Sequence, residues 1–148
     1  MPSNVLNDTM LKFGAPDTCI HTYSSWLVLL RPAQVTLGAL VLVAREPVTA
    51  FSRISEAGFT ELARVTRDVE VVLSHLFHYD KLNYLMLMMV DPHVHFHVVP
   101  RYAAERRYGG EVFSDNAWPG PPDLAQNNRI DGKVFDCLRD DLRAAWPS

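Results

Sequence analysis

Three of the six histidines of the chain fall within five residues, in His93-Val94-His95-Phe96-His97. On extended backbone alternate side chains share a face, so His93, His95 and His97 are expected to project together while Val94, Phe96 and Val98 enter the core. Adjacent imidazoles disfavour one another's protonation, so such a row gains nothing in packing and points to a chemical role. Two chemistries use it. A zinc ion holds its ligands at about 2 Å, whereas residues i and i+4 of a strand lie roughly 13 Å apart, so all three rings cannot easily converge on one metal. Two of them with a third ligand from elsewhere remain an alternative. In the other chemistry one neutral imidazole attacks phosphorus while its neighbours donate hydrogen bonds to the charge developing on the phosphoryl oxygens. His21, His75 and His78 stand alone and read as ordinary surface or core residues.

The elements that must position this row are legible from periodicity. Ser25–Leu30 and Leu37–Ala44 read as strands, the second apolar enough to be central, with Arg31-Pro32 ending the first. Ser55 precedes a segment whose Phe59, Leu62, Val69, Leu73 and Leu76 recur three or four apart, which predicts an amphipathic helix over 56–77. Asn83–Val90, NYLMLMMV, is too apolar for a sheet face open to water on either side and reads as a buried strand, and His93–Val99 as its antiparallel neighbour. A short N-terminal helix capped by Asn4 and stopped by Gly14 would turn Leu6, Met10 and Phe13 to one side. Gly, Pro, Ser, Asp and Asn dominate 109–128, which reads as a surface loop, and Asp131 as the cap of a final helix carrying Val134, Leu138 and Leu142. Strands followed by helices in this order predict an α+β fold, an antiparallel sheet of about five strands against the long helix.

The 148 residues match a single domain, 1–148. Apolar residues make up 48% and charged residues 21%, which excludes disorder and fibrous repeats. A formal net charge of −3 argues against nucleic-acid binding but leaves room for a small anionic ligand. Cys19 and Cys137 form neither a disulfide framework nor a zinc motif. The first residues lack a basic segment with an apolar run, and the longest apolar stretches are too short to span a bilayer. The expected setting is the cytoplasm, with no membrane partner.

The segment His93-Val94-His95-Phe96-His97-Val98-Val99 resembles at every position the signature of the histidine triad family, in which three histidines alternate with apolar residues. The resemblance runs from Trp26–Leu30 through Gly38–Ala44, the long helix and Lys81-Leu82-Asn83 to Pro100-Arg101, roughly residues 25–101. It is nearest to the hydrolase branch that includes fragile histidine triad proteins and dinucleoside polyphosphate hydrolases. It implies an α+β homodimer acting without cofactor as a nucleotidyl hydrolase or transferase at the α-phosphate of a small nucleotide substrate. By that resemblance His95 attacks phosphorus and forms a nucleotidyl-histidine, and His97 supports the phosphate oxygens. His93 fixes the tautomer of His95 through its carbonyl. Arg31 and Arg101 are the expected nucleotide-binding cations. The sequence also departs from the family. Ala39 follows Gly38 where a fourth histidine is usual, and Arg31 replaces a ribose-binding Asn or Asp. Only Val90-Asp91-Pro92 remains of a polar loop, and Met88 or Met89 stands for a polar strand end. A catalytically weak nucleotide-binding protein is the alternative these departures raise.

Overall fold

The computed structural model describes residues 5–148. Its centre is a five-stranded antiparallel sheet made of β1 (Cys19–Thr22), β2 (Trp26–Leu30), β3 (Leu40–Ala44), β4 (Lys81–Leu85) and β5 (His95–Arg101), in the order β1-β2-β3-β5-β4. Between β3 and β4 runs the long helix α2 (Glu56–Phe77), capped by Ser55, whose hydroxyl accepts from the Gly58 N–H at 3.0 Å. The fold class, the long helix and the two early strands match the reading of the sequence. β1 does not appear in that reading, because four residues carry too little alternation to stand out.

Strand alternation gives the sheet two unlike faces. Trp26, Val28, Leu30, Leu40, Leu42 and Val98 point to α2 and pack on its Val65, Val69, Val72 and Leu73, all buried. Trp26 is fully buried and its indole N–H donates to the Gly58 carbonyl at 2.9 Å, so the largest side chain of this core also spends its polar atom. Gly38, in the turn before β3, has φ +86°, and a Cβ there would sit 2.8 Å from the Phe77 ring, so glycine is required on both counts. The opposite face carries Leu27, Leu29, Val41 and Val43, covered by Met10, Phe13 and Ala15. These come from the helix α1 (Asp8–Lys12) and the turn after it. Asn7 caps α1 by accepting from the Met10 N–H; the expected cap, Asn4, lies outside the described residues.

Three further expectations need correction. The apolar run Asn83–Val90 is not a buried strand: β4 ends at Leu85, on the edge of the sheet, and Met89 and Val90 are 87% and 81% exposed. Pairing of β4 ends at Leu85↔His97, and the chain then turns back toward β5 with Met88 in the left-handed region at φ 48°. β5 begins at His95 rather than His93. The expected loop 109–128 opens as a hairpin of β6 (Arg106–Tyr108) and β7 (Glu111–Phe113), joined by Gly109-Gly110, both at positive φ as a two-residue hairpin turn demands. The last helix, α3 (Gly132–Ala145), is capped by Asp131 and buries Leu138 and Leu142 as its periodicity predicts.

The long loop after β7 is fastened from within. Arg101 gives Nε and Nη2 to the Asp115 carboxylate at 2.7 and 3.2 Å, Nη1 to Asn83 at 2.9 Å and Nη2 to the Gly120 carbonyl at 2.8 Å. The two charged side chains are only 5% and 2% exposed. Removing one partner of a buried pair strands the other charge without solvent, a loss of about 3–5 kcal/mol. Asp115→Ala is therefore expected to lower unfolding free energy by about that amount in urea denaturation, and a change below about 1 kcal/mol would contradict a structural role for the pair.

Candidate functional site

Register places the histidines. His95 pairs with Val43, which pairs with Leu27, and His97 pairs with Val41, which pairs with Leu29. Residues paired across antiparallel strands share a face, so both rings stand on the α1 side of the sheet, away from α2. His95 is 1% and His97 7% exposed. Their ring centroids lie 5.1 Å apart at 81°, and Phe13 flanks both, at 6.1 Å from His95 and 5.8 Å from His97. Two of the three histidines thus stand in one row. His93 precedes the strand, and its Nδ1 meets the Thr9 hydroxyl at 2.9 Å.

The position of His93 outside β5 has a chemical consequence. Its carbonyl lies 2.6 Å from His95 Nδ1. A carbonyl can only accept, so this contact puts the proton of neutral His95 on Nδ1 and leaves Nε2 as a lone pair. His97 is arranged in the opposite sense. Its Nδ1 is buried without a hydrogen-bond partner. No acceptor stands within reach of Nδ1, so an N–H there would have nothing to donate to, and the proton is assigned to Nε2, which becomes a donor. Burial above all, with the neighbouring His95 and Arg31 adding, pushes His97 down to about 4, so it stays neutral at physiological pH. One ring offers a lone pair and the other an N–H, the complement needed for attack on a phosphoryl group and support of its oxygens.

Both rings open into a cleft of about 240 Å³ whose other walls include Phe13, Arg31, Met88 and Leu124. The rim carries Lys12 and Asp91, 2.9 Å apart, an ion pair that ties α1 to the loop between β4 and β5. The exposed apolar residues of that loop, Leu87, Met89 and Val90, also border the cleft. Of the two arginines expected to bind nucleotide, the structure brings Arg31 to the histidines and leaves Arg101 elsewhere, enclosed by Asp115, Asn83 and Gly120. Trp118 and Arg101 border a separate cavity of about 660 Å³ at the β4 edge. Ala39 is fully buried on the histidine face beside Arg31. Among the described residues no three His, Cys, Asp or Glu side chains gather as a metal-binding set, and no helix is long and apolar enough to cross a membrane. Thr9, 84 positions from His93, carried no signal in the sequence. Phe13 did, through the apolar spacing of α1, but only as a core residue.

No protein-family model matches the sequence, and no curated protein is similar to it. Solved structures are. A histidine triad protein from Bradyrhizobium japonicum superposes with a TM-score of 0.75 at 21% identity, over 98% of this chain and 99% of its own. One from Marinobacter aquaeolei gives 0.73 at 18%, over 96% and 95%. A zinc-bound histidine triad family protein from Mycobacterium smegmatis gives 0.63 at 17%, over 93% and 88%. The chain has the histidine triad fold along nearly its whole length.

The neutral state of His97 has a measurable cost in acid. The unfolded chain takes up this proton near pH 6.5 and the folded chain only near about 4, so in that window the unfolded state binds more protons. Stability contributed by neutral His97 is complete above pH 6.5 and falls as the pH drops toward 4, by on the order of 2–3 kcal/mol. The expected result is a steeper loss of urea resistance between pH 7 and 4.5 in the wild type than in His97→Gln. Equal slopes would contradict the buried, neutral assignment.

Proposed function

We propose that this protein is a histidine triad nucleotidyl hydrolase or transferase that works through His95. Nε2 of His95 attacks the α-phosphorus of a nucleotide, a nitrogen–phosphorus bond forms, and the bond to the leaving group breaks, the leaving group keeping the electron pair. Water or another acceptor then attacks phosphorus and gives up its proton to solvent, the nitrogen–phosphorus bond breaks, and its electron pair returns to His95 as the lone pair on Nε2. The observation that carries this reading is the 2.6 Å contact between His95 Nδ1 and the His93 carbonyl, which points the free lone pair away from the backbone. His97, neutral and with its Nε2 proton available, donates to the phosphoryl oxygens. His93 acts through its carbonyl and is itself held by Thr9. The shared fold supports the same reading without naming a base or a leaving group.

A zinc reading has one observation in its favour, the zinc-bound state of the Mycobacterium smegmatis protein of the same fold. In it, His95 and His97 would need a third ligand from outside the described residues or from solvent. The two readings separate in chelator, since a nucleophilic lone pair is blocked by a metal while a metal-dependent site is emptied by its removal.

The test is a substrate panel of dinucleoside polyphosphates, nucleoside phosphoramidates and nucleotidyl sulfates, applied to wild type and His95→Ala. The alanine variant is expected to fold, to keep most of its nucleotide affinity, and to lose at least about 10³-fold in kcat on whichever substrate the wild type turns over. Activity is expected to survive chelator. Turnover of the variant within a few-fold of wild type would overturn the assignment, and binding without turnover by the wild type would leave a nucleotide-binding protein.

A further inference from the structure

Thr9 is 1% exposed, and its hydroxyl has one hydrogen-bond partner among the described residues, His93 Nδ1 at 2.9 Å. That contact has a direction. A hydroxyl that accepted from an Nδ1–H would keep its own proton buried with nothing to donate to, so Thr9 donates and His93 Nδ1 accepts. Neutral His93 then carries its ring proton on Nε2. The bond spans 84 positions of sequence and joins α1 to the residue whose carbonyl meets His95.

Holding this ring also holds the carbonyl. His93 lies before β5, so the ladder does not set the direction of its carbonyl. The peptide that follows is fixed on its other edge, where the Val94 N–H donates to the Val48 carbonyl at 3.2 Å. The N–H and C=O of a trans peptide point in opposite directions, so the His93 carbonyl leaves that plane toward His95 Nδ1. The His93 side chain is the remaining handle on the bend, and Thr9 holds it. Lys12, three residues on and on the same side of α1, holds Asp91, while Phe13, four residues on, flanks the rings of His95 and His97. The ion pair of Lys12 is half exposed and contributes little, whereas the Thr9 contact is buried. We propose that Thr9 is a positioning residue for the nucleophile: by donating to His93 it keeps the His93 carbonyl on His95 Nδ1, and so keeps the lone pair of His95 on Nε2. This rests on the nucleotidyl-transfer reading and deepens it. A free imidazole prefers its proton on Nε2, the tautomer that cannot attack through that atom, so the attacking tautomer exists only while Nδ1 has its acceptor.

The experiment is nitrogen NMR of the full chain labelled in its histidine rings, without substrate, joined to steady-state kinetics on the best substrate of the panel. The ring signals are assigned with His93→Gln and His95→Gln. In the wild type the proton is expected on Nε2 of His93 and on Nδ1 of His95. Thr9→Val keeps the shape of the side chain and removes its hydroxyl. In that variant His95 is expected to become a mixture of tautomers, and kcat to fall about 5- to 30-fold with KM within about 2-fold, while Thr9→Ser restores both. Thr9→Ala is expected to behave as the valine variant does and serves where valine does not fold. A wild-type His93 with its proton on Nδ1 reverses the direction of the bond and overturns this inference with no variant needed. So does a variant without the hydroxyl in which His95 keeps its wild-type tautomer, or one in which the tautomer changes and the rate does not. Because the tautomers are read without substrate, these results stand apart from the transfer reading, which falls on its own if no substrate is turned over or leaves an adduct on His95. A wild-type His95 with its proton on Nε2 overturns both.

Discussion

The hydrogen bond from His95 Nδ1 to the His93 carbonyl, 2.6 Å long, is the interaction from which the chemistry of this face follows. It exists because β5 starts at His95. Were His93 paired into the sheet, its carbonyl would be committed to ladder geometry rather than bent toward the ring two residues on. The bend is held from outside. Thr9 takes the His93 ring, α1 is capped by Asn7, and Asn7 in turn reaches the Ala44 carbonyl at 3.5 Å. A helix of five residues has little stability alone, so its place rests on Met10 and Phe13 against Leu27, Leu29, Val41 and Val43. Packing of the second core thus reaches the His95 ring in two steps, through Thr9 and through the His93 carbonyl.

The two faces of the sheet divide the labour. The α2 face is largely apolar, with Trp26 as its centre, and supplies most of the burial. The α1 face gives up apolar area to two imidazoles and an arginine, and pays for it by leaving His97 Nδ1 and Arg31 Nε without partners. Buried unpaired polar atoms of this kind are rare in folded proteins and tend to gather where a ligand completes them. That both border one cleft, beside a ring with a directed lone pair, ties the electrostatic cost to a single place on the molecule.

Much of the frame was legible because its signals are local. Ser55 and the spacing of Val69 and Leu73 locate α2, the alternation of His95, Phe96 and His97 marks the histidine face, and Asp131 marks the start of α3. What was not legible depends on contacts distant in sequence. Met86–Val90 is apolar enough to read as buried, yet an edge position ends its pairing and leaves Met89 in solvent. Arg101 follows the histidines as a phosphate-binding residue would, and only Asp115, 14 positions on, shows that its guanidinium is spent on the loop. The histidine spacing implies three rings on one strand. The bend before His95 reduces them to two and converts the third into a backbone acceptor, a distinction that residue types alone do not encode.

The central claim is that His95 becomes covalently bound to the nucleotide. Its most direct test is intact-protein mass spectrometry after rapid mixing with the best substrate of the panel and quenching in mild base, where a phosphorus–nitrogen bond to histidine survives, followed by peptide mapping. The account predicts a transient mass increase of one nucleotidyl group, a nucleoside monophosphate less one water, located on His95, that appears and decays at rates consistent with turnover. A protein that turns substrate over with no adduct at any quench time, or with the adduct on His93 or His97, would contradict it.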